Sequence, residues 1–471
     1  MDGLEISEVF LSQIDLGDRY DAEYYTKNYI HISQQMEKVN HVKLGKLATM
    51  VASAFYPAAT HLYSIGDTPF VRCVDCIEYP IITDAQDKLF EKIPYVFAEN
   101  CKGISVLQNE DIIITKVGTP CYASIIKGYD EVALSRTVLG LTNILNVDPY
   151  YLMVFLRSKY GFEQLFRQRE LTIQYQLTLA RVKNVDIFMP DADFQKEIRR
   201  ITLKYIEKLE LSREKYASAE KKLLSIIDIK EIEEKENYDI KLFSESFKLT
   251  GRLDAEYYQL KYDVFFDKLK KFNVKHLGGK DGLVKIKKSI EPGSDSYQDE
   301  GIPFIRVGDI TYKGISSSEI HLPYNIVNNV EDLYPKKDTI LFSKDGSVGI
   351  AYKLEKDENI ITSGALLHLI VKNQLEILPD YLALVLNSSI VKLQAERDAN
   401  GAIIQHWKIS DIENVLIPVL SYDIQRDIAQ NVQESFTLLH EAEKEFAQAK
   451  KAVEIAVEKG EEESLKWLKR K

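Results

Sequence analysis

The chain is written twice. Arg19-Tyr-Asp-Ala-Glu-Tyr-Tyr25 returns as Arg252-Leu-Asp-Ala-Glu-Tyr-Tyr258, and Pro69-Phe-Val-Arg72 returns as Pro303-Phe-Ile-Arg306. Lys116-Val-Gly118 lines up with Lys344-Asp-Gly346, and Ser135 and Ser363 follow at equal distances. Pro149, Tyr151 and Leu152 match Pro379, Tyr381 and Leu382, and Gln174 matches Gln405. Ile187-Phe-Met-Pro190 matches Leu416-Ile-Pro418, and Gln195-Lys-Glu-Ile198 matches Gln425-Arg-Asp-Ile428. Each match is short, but all fall in one order, at offsets between 228 and 234 residues. Whatever architecture the first copy adopts, the second must adopt too. A unit used twice reads two of something.

Each copy opens on a short polar-aromatic helix at the Asp-Ala-Glu-Tyr-Tyr motif. A mixed globular part follows. Its strands show as β-branched runs, such as Asp111-Ile-Ile-Ile-Thr115 and Thr339-Ile-Leu-Phe342, bounded by Gly and Asp turn signals. Residues 150–160 and 381–396 predict amphipathic helices, each begun near a proline. Each copy closes on a long helix. Val432, Ser435, Leu439, Ala442, Phe446, Ala449, Val453 and Ala456 alternate spacings of three and four, which is a heptad seam. Ile198, Ile201, Tyr205, Leu209, Ser212, Tyr216, Ala219, Leu223 and Ile226 do the same, with one slip after Tyr205. A helix packed only on its own domain shows similar spacing. One such helix per copy favours pairing of the two, and Ser and Ala on the seam suit close approach.

Several chemistries are missing their residues. There is no phosphate-binding Gly-x-x-x-x-Gly-Lys-Ser/Thr, no Gly-x-Gly-x-x-Gly opening a helix and no His-Glu-x-x-His. Cys73-Val-Asp-Cys76 has the spacing of half a zinc site, but the second copy has Val307 and Ile310 there, so these read as strand positions and metal binding is not expected. Asp148-Pro-Tyr-Tyr151 resembles the Asp-Pro-Pro-Tyr loop of amino-methyltransferases but lacks its second proline, and the other copy has Leu378-Pro-Asp-Tyr381. Both read as helix starts. Gly346-Ser-Val-Gly349 reads as a tight turn between strands. No cofactor motif is present. Four cysteines in 471 residues do not make a disulfide scaffold. No apolar run approaches the roughly 20 residues of a membrane span, and the N-terminus is not a secretory signal; the cytoplasm is expected.

The net charge of −11 argues against coating nucleic acid by charge alone. It leaves room for local basic islands. Residues 157–183 carry Arg157, Lys159, Arg167, Arg169, Arg181 and Lys183; residues 275–288 carry Lys275, Lys280, Lys285, Lys287 and Lys288. Phosphate contacts need Lys and Arg, and base readout needs Arg, Lys, Asn, Gln and other hydrogen-bonding groups. The segment Thr172-Ile-Gln-Tyr-Gln-Leu177, with Gln174 and Tyr175, matches Ile403-Ile-Gln-His-Trp-Lys408, with Gln405, His406 and Lys408. Arg72 and Arg306 hold equal places after a strand, as do Lys116 and Lys344 at the turn; Arg136 and Ser347 complete the candidate DNA contacts. For each of these, a solvated surface or a structural ion pair is the competing reading.

The pattern resembles one family, the specificity subunits of type I restriction–modification systems. The likeness rests on the Asp-Ala-Glu-Tyr-Tyr leader, the Pro303-Phe-Ile-Arg-Val-Gly-Asp309 strand, the Lys344-Asp-Gly-Ser-Val-Gly-Ile-Ala351 turn, and Ile417-Pro418 followed by Gln425-Arg-Asp-Ile428 opening a long helix. The first copy departs from it at Cys73-Val-Asp-Cys76. The resemblance implies an α+β chain. Two tandem α/β target-recognition domains would be separated by two long helices paired as an antiparallel coiled coil with pseudo-two-fold symmetry. The expected divisions are a leader at 1–40, recognition domains at 41–192 and 273–421, a second leader at 237–272, and spacer helices at 193–236 and 422–471. The resemblance further implies a non-catalytic subunit that binds double-stranded DNA, two modification (methyltransferase) subunits and restriction (motor-nuclease) subunits. Two alternatives stay open: a stand-alone adenine DNA methyltransferase, and an acidic DNA mimic or scaffold.

The repeat makes specificity modular. Replacing residues 26–194 with residues 259–424 is expected to give a chain that reads the second half-site twice. Mapping methylated sites checks it; a folded, partner-bound chimera that keeps the original asymmetric site would place specificity outside the exchanged part.

Overall fold

The computed structural model describes residues 6–10, 14, 19–54, 62, 65–84, 90–101, 103–170, 175–229, 240–401 and 405–470. The chain divides into two units, Met1–Glu210 with Leu439–Lys471, and Leu211–Leu438. The central helix Ala192–Ile227 and the C-terminal helix Tyr422–Lys459 each give one portion to each unit.

In the first unit a five-stranded sheet runs in the order Thr49–Val51, Val138–Thr142, Ile112–Thr115, Ala123–Lys127, Ile81–Thr83. All its pairings are antiparallel except the last, which is parallel. The isoleucine runs are buried on both faces. Ile112, Ile114 and Ile125 enter one hydrophobic core with the helix Pro149–Arg157, while Ile113 and Ile126 enter a second with Val71 and Val138. The period of two therefore divides one apolar run between two cores, and no polar alternation survives in the sequence. In the second unit an antiparallel sheet runs Val284–Lys288, Leu366–Val371, Ile340–Ser343, Ala351–Lys353. Beside it His321–Leu322, Ile302–Ile305 and Ile361–Thr362 form three strands.

The helix expected at 150–160 is two helices, Pro149–Arg157 and Lys159–Arg167, and the one at 381–396 is Pro379–Asn387 and Ser389–Asp398. A serine makes each break. Ser158 Oγ donates to the Phe155 carbonyl at 2.6 Å, and Ser388 Oγ donates to Val385 at 2.7 Å. Each hydroxyl also caps the next helix, accepting from Gly161 N or Ile390 N. One side chain thus serves orphan groups of two helix ends. The leader motif is a clamp. Arg19 binds Asp21 and donates to the Arg169 carbonyl, and Tyr25 Oη donates back to Arg19 O. Arg252, Asp254, the Asp398 carbonyl and Tyr258 repeat this arrangement. The Arg19 hydrogen bond holds the Asp21 carboxyl below its ordinary value, so this clamp is present at neutral pH and lost only in strong acid.

In the first unit Tyr205 lies against Phe446, with ring centroids 4.9 Å apart, and Lys208 bridges Glu441 and Glu445 at 3.1 Å each. In the second unit Ser212 and Ser435 exchange hydroxyl-to-carbonyl hydrogen bonds of 2.8 and 2.7 Å, Lys215 meets Glu434 at 2.6 Å, and Lys222 meets Asp427. Partner numbers fall as helix numbers rise, so the pairing inside each unit is antiparallel. The seam from Val432 to Ala456 is buried throughout; on the central helix Ile227, not Ile226, takes the last buried place. Two expected helices end early. The central helix stops at Ile227, beside Asp228 at φ 56°, and residues 230–239 lie outside the described set. The C-terminal helix stops at Lys459, where Gly460 takes φ 89°. The helix Glu461–Lys469 then turns back, with Ser464 Oγ donating to Ala452 O at 2.6 Å.

A glutamine joins each globular part to its long helix. Gln425 is buried; its Oε1 accepts from Leu378 N at 3.0 Å, and its Nε2 donates to Leu420 O and Glu376 O at 2.9 Å each. Gln195 accepts from Asp148 N at 2.9 Å and donates to Pro190 O at 3.0 Å. Gln425→Ala strands three backbone groups and is expected to destabilise the second unit by about 2–4 kcal/mol. Urea unfolding followed by a probe in that unit checks this; an unchanged midpoint would show that water replaces the amide without cost.

Candidate nucleic-acid interface

Four segments meet at one place in each unit. In the first, Ser135 N donates to Val71 O at 2.9 Å, Lys116 N to Thr137 O at 2.8 Å, and Leu177 N to Lys116 O at 2.9 Å. Cys73 N reaches Thr137 Oγ1 at 3.1 Å. Backbone bonds thus gather the segments bearing Arg72, Arg136, Lys116 and Tyr175-Gln176. In the second unit Ser363 N donates to Ile305 O at 2.8 Å, Lys344 N to Ala365 O at 2.9 Å, and Trp407 N to Lys344 O at 2.8 Å. These gather Arg306, Gly364, Lys344 and Gln405-His406. The turn after each lysine needs two left-handed residues. Gly118 and Cys121 have φ of 88° and 82°, and Gly346 and Gly349 have 73° and 84°. Thr115 Oγ1 and Ser343 Oγ fasten the far side, accepting from Tyr122 N and Ile350 N.

The main-chain bonds correct the match between the copies. Leu177 and Trp407 make the same bond, so Tyr175 stands opposite Gln405, and Gln176 opposite His406. The bridges Glu170 to Gln176 and Asn400 to His406 repeat this offset. Gln174 lies outside the described residues. Gln176 is a candidate the sequence comparison passed over. The single shared Gln allowed a slip of one, and only the ladder fixes the register.

The candidate cations differ in what they touch. Arg72 and Arg306 precede short helical turns, Cys73–Glu78 and Val307–Asp309, so Cys73 to Cys76 are helical and not strand positions. Asp75 and Asp309 accept from the Arg72 and Arg306 backbone N–H groups at 2.8 Å each, and their carboxylates also face the guanidinium groups at 3.5 and 3.7 Å. Arg136, Ser347 and Lys408 are exposed. Lys116 is half-buried, and burial together with Arg136 pulls its ammonium below the ordinary lysine value. Lys344 instead meets Asp345, whose other oxygen is 2.9 Å from His406 Nδ1. Burial opposes ionisation of Asp345, but these two partners outweigh it and hold its carboxyl low.

The first basic island is largely internal. Arg167 donates to Tyr24 O at 2.8 Å and Ser33 Oγ at 2.7 Å, with its guanidinium 4.0 Å from the Tyr24 ring centroid. Arg169 reaches Tyr29 Oη and Phe166 O and lies over the Phe166 and Tyr175 rings. Arg157 donates to the carbonyls of Ala123 and Cys76, and burial lowers it to about 10. Arg181 pairs with Glu170. Arg167 and Arg169 hold the leader segment, and Arg157 ties its helix to the sheet, which explains their density without a ligand. Lys285, Lys287 and Lys288 are exposed on a strand at the edge of its sheet. Lysines there also discourage edge-to-edge pairing. Beside them burial, with help from Lys287, lowers His368 to about 4. Among the described residues no group of three or more His, Cys, Asp or Glu is placed to hold a metal ion.

Residues 270–446 match the model of the type I restriction modification DNA specificity domain. The chain is similar to the crystal structure of a type I restriction–modification S subunit from M. genitalium, at 14% identity over 89% of this chain and 95% of that one, with a TM-score of 0.40. It is also similar to the HsdS subunit from Thermoanaerobacter tengcongensis, at 13% identity over 89% and 96%, with a TM-score of 0.28. No curated protein matches.

Arg167→Gln removes two charge-assisted hydrogen bonds and a ring contact, and is expected to cost about 2 kcal/mol. Replacing Lys285, Lys287 and Lys288 by Gln is expected to change stability by no more than about 0.5 kcal/mol each. Thermal unfolding separates the two. An Arg167→Gln protein as stable as the parent would return that side chain to the candidate surface.

Proposed function

We propose that the chain is a member of the type I restriction–modification DNA specificity family, whose model residues 270–446 match, and that each unit reads one half of a bipartite DNA site. The chain is the DNA-recognition subunit of its complex and leaves the chemistry to its partners. The observation that carries the two-reader proposal is the shared hydrogen-bonded crossing. The residues matched by the family include it at Ile305, Lys344, Ser363 and Trp407, and the first unit repeats it at Val71, Lys116, Ser135 and Leu177.

The edges around the crossings are the DNA-facing surfaces in this reading. Arg136, Lys116, Tyr175 and Gln176 serve the first unit, and Arg306, Ser347, Gln405, His406 and Lys408 the second, with Lys285, Lys287 and Lys288 on phosphates. Phosphate contacts set register and base contacts set sequence. The two helices bind modification subunits, one for each repeat, and a restriction subunit completes the assembly. These partners add positive charge that an acidic chain lacks. Among the described residues no helix is long and apolar enough to cross a membrane, and the DNA it reads places its work in the cytoplasm.

Methylated bases mapped in a host with and without this chain test the reading. The expected result is one split motif that vanishes with the chain. Mass measurement of the purified complex is expected to give two modification subunits per chain. Methyl transfer by the isolated chain, or a saturated one-to-one complex, would overturn it.

A further inference from the structure

The two crossings share a backbone and differ in chemistry at their outer edge. Lys116 and Lys344 are the same residue in the same bonds. The next residue is Val117 in one unit and Asp345 in the other, and the residue paired across from it is Gln176 in one and His406 in the other. Immediately after these come Leu177 and Trp407, both buried, so each variable residue stands one step outside a packed anchor. A variable side chain on a fixed and rigid base is what a reader needs if the frame is to serve two different sequences.

The second unit also fixes which atom of His406 faces out. Nδ1 is 2.9 Å from Asp345 Oδ1, and Asp345 Oδ2 meets Lys344. A carboxylate only accepts, so Nδ1 carries the hydrogen, and Nε2 is the ring nitrogen left for a ligand, an acceptor in the neutral ring and a donor in the charged one. The imidazole side chain is 64% exposed and Asp345 only 24%. Both Asp345 oxygens are engaged by cationic or hydrogen-bearing groups, which offsets the repulsion a bare carboxylate would exert on phosphates. Gln176 is exposed, and its amide offers a donor and an acceptor together.

We propose that His406 and Gln176 are equivalent base-reading residues, one for each half-site, and that Asp345 is a positioning residue that presents His406 Nε2 to the base. As an acceptor Nε2 suits the exocyclic amino group of adenine or cytosine and as a donor the N7 or O6 of guanine, while an amide suits the paired acceptor and donor of adenine in the major groove. The difference between the two half-sites then resides partly at one structural position. The inference rests on the two-reader function proposed above.

The test uses the full chain with its modification subunits in a host lacking such a system. Wild-type chain must first methylate one bipartite site; if it does not, the functional reading fails before this inference is reached. His406→Gln is expected to change base preference at one position of one half-site, by about 5- to 100-fold, and to leave the other half-site intact. Gln176→His is expected to change one position of the other half-site only. Asp345→Asn is expected to relax preference at the His406 position, and to add nothing in the His406→Gln background, because it acts through the imidazole. Binding of DNA duplexes substituted at each position gives the same preference for a variant too slow to methylate. His406→Asn stands in if His406→Gln does not fold. Unchanged preference in the folded variants, changes in both half-sites from one substitution, or additive effects of Asp345→Asn and His406→Gln would each overturn the proposal.

Discussion

A glutamine amide ties the globular part of each unit to its long helix, half-buried at Gln195 and buried at Gln425. Gln195 and Gln425 stand in the first turn of a long helix and bind backbone groups of the segments that lead into it. A recognition surface can be read in register only if it is rigid with respect to its support. Apolar packing alone tolerates sliding, whereas an amide with two or three directed partners does not. The same glutamine also satisfies the N–H at the start of the Pro-led helix under the sheet, so the helix seam, the sheet and the crossing of segments are fixed by contiguous contacts.

Much of this was legible in the sequence because repetition filters noise. The Gln195–Gln425 match and the Tyr151–Tyr381 match mark side chains with identical partners, Tyr151 and Tyr381 each donating to a strand carbonyl at 2.8 Å. The C-terminal seam was legible because heptad spacing follows directly from helix geometry. The serine breaks were hidden, since Ser158 and Ser388 fall where an amphipathic helix tolerates a polar residue. The basic island at 157–183 misled in a different way: an arginine that donates to buried carbonyls has the same composition as one that meets phosphate. The register error at Gln174 arose because pairing across strands depends on backbone bonds that single-residue identity does not encode.

The charge distribution follows the same logic. A protein with net charge −11 places many of its arginines against tyrosine rings and carbonyls, as Arg167 and Arg252 show, and many of its surface lysines against carboxylates on the paired helices. In the proposed reading, recognition by such an acidic chain rests on local arrangement at the crossings rather than on net charge.

The order of segments along the chain has a consequence for biosynthesis. The first unit's main core includes Ala442, Phe446, Ala449 and Val453, yet its sheet is encoded before residue 210. The whole of Leu211–Leu438 emerges from the ribosome in between. The second unit can therefore close while the first still waits with Tyr205 and Ile206 uncovered, and translation of the C-terminal helix is the event that completes the earlier domain. A prematurely terminated chain would carry an open apolar core in its oldest part, marked for chaperones and proteases, so only full-length readers would accumulate.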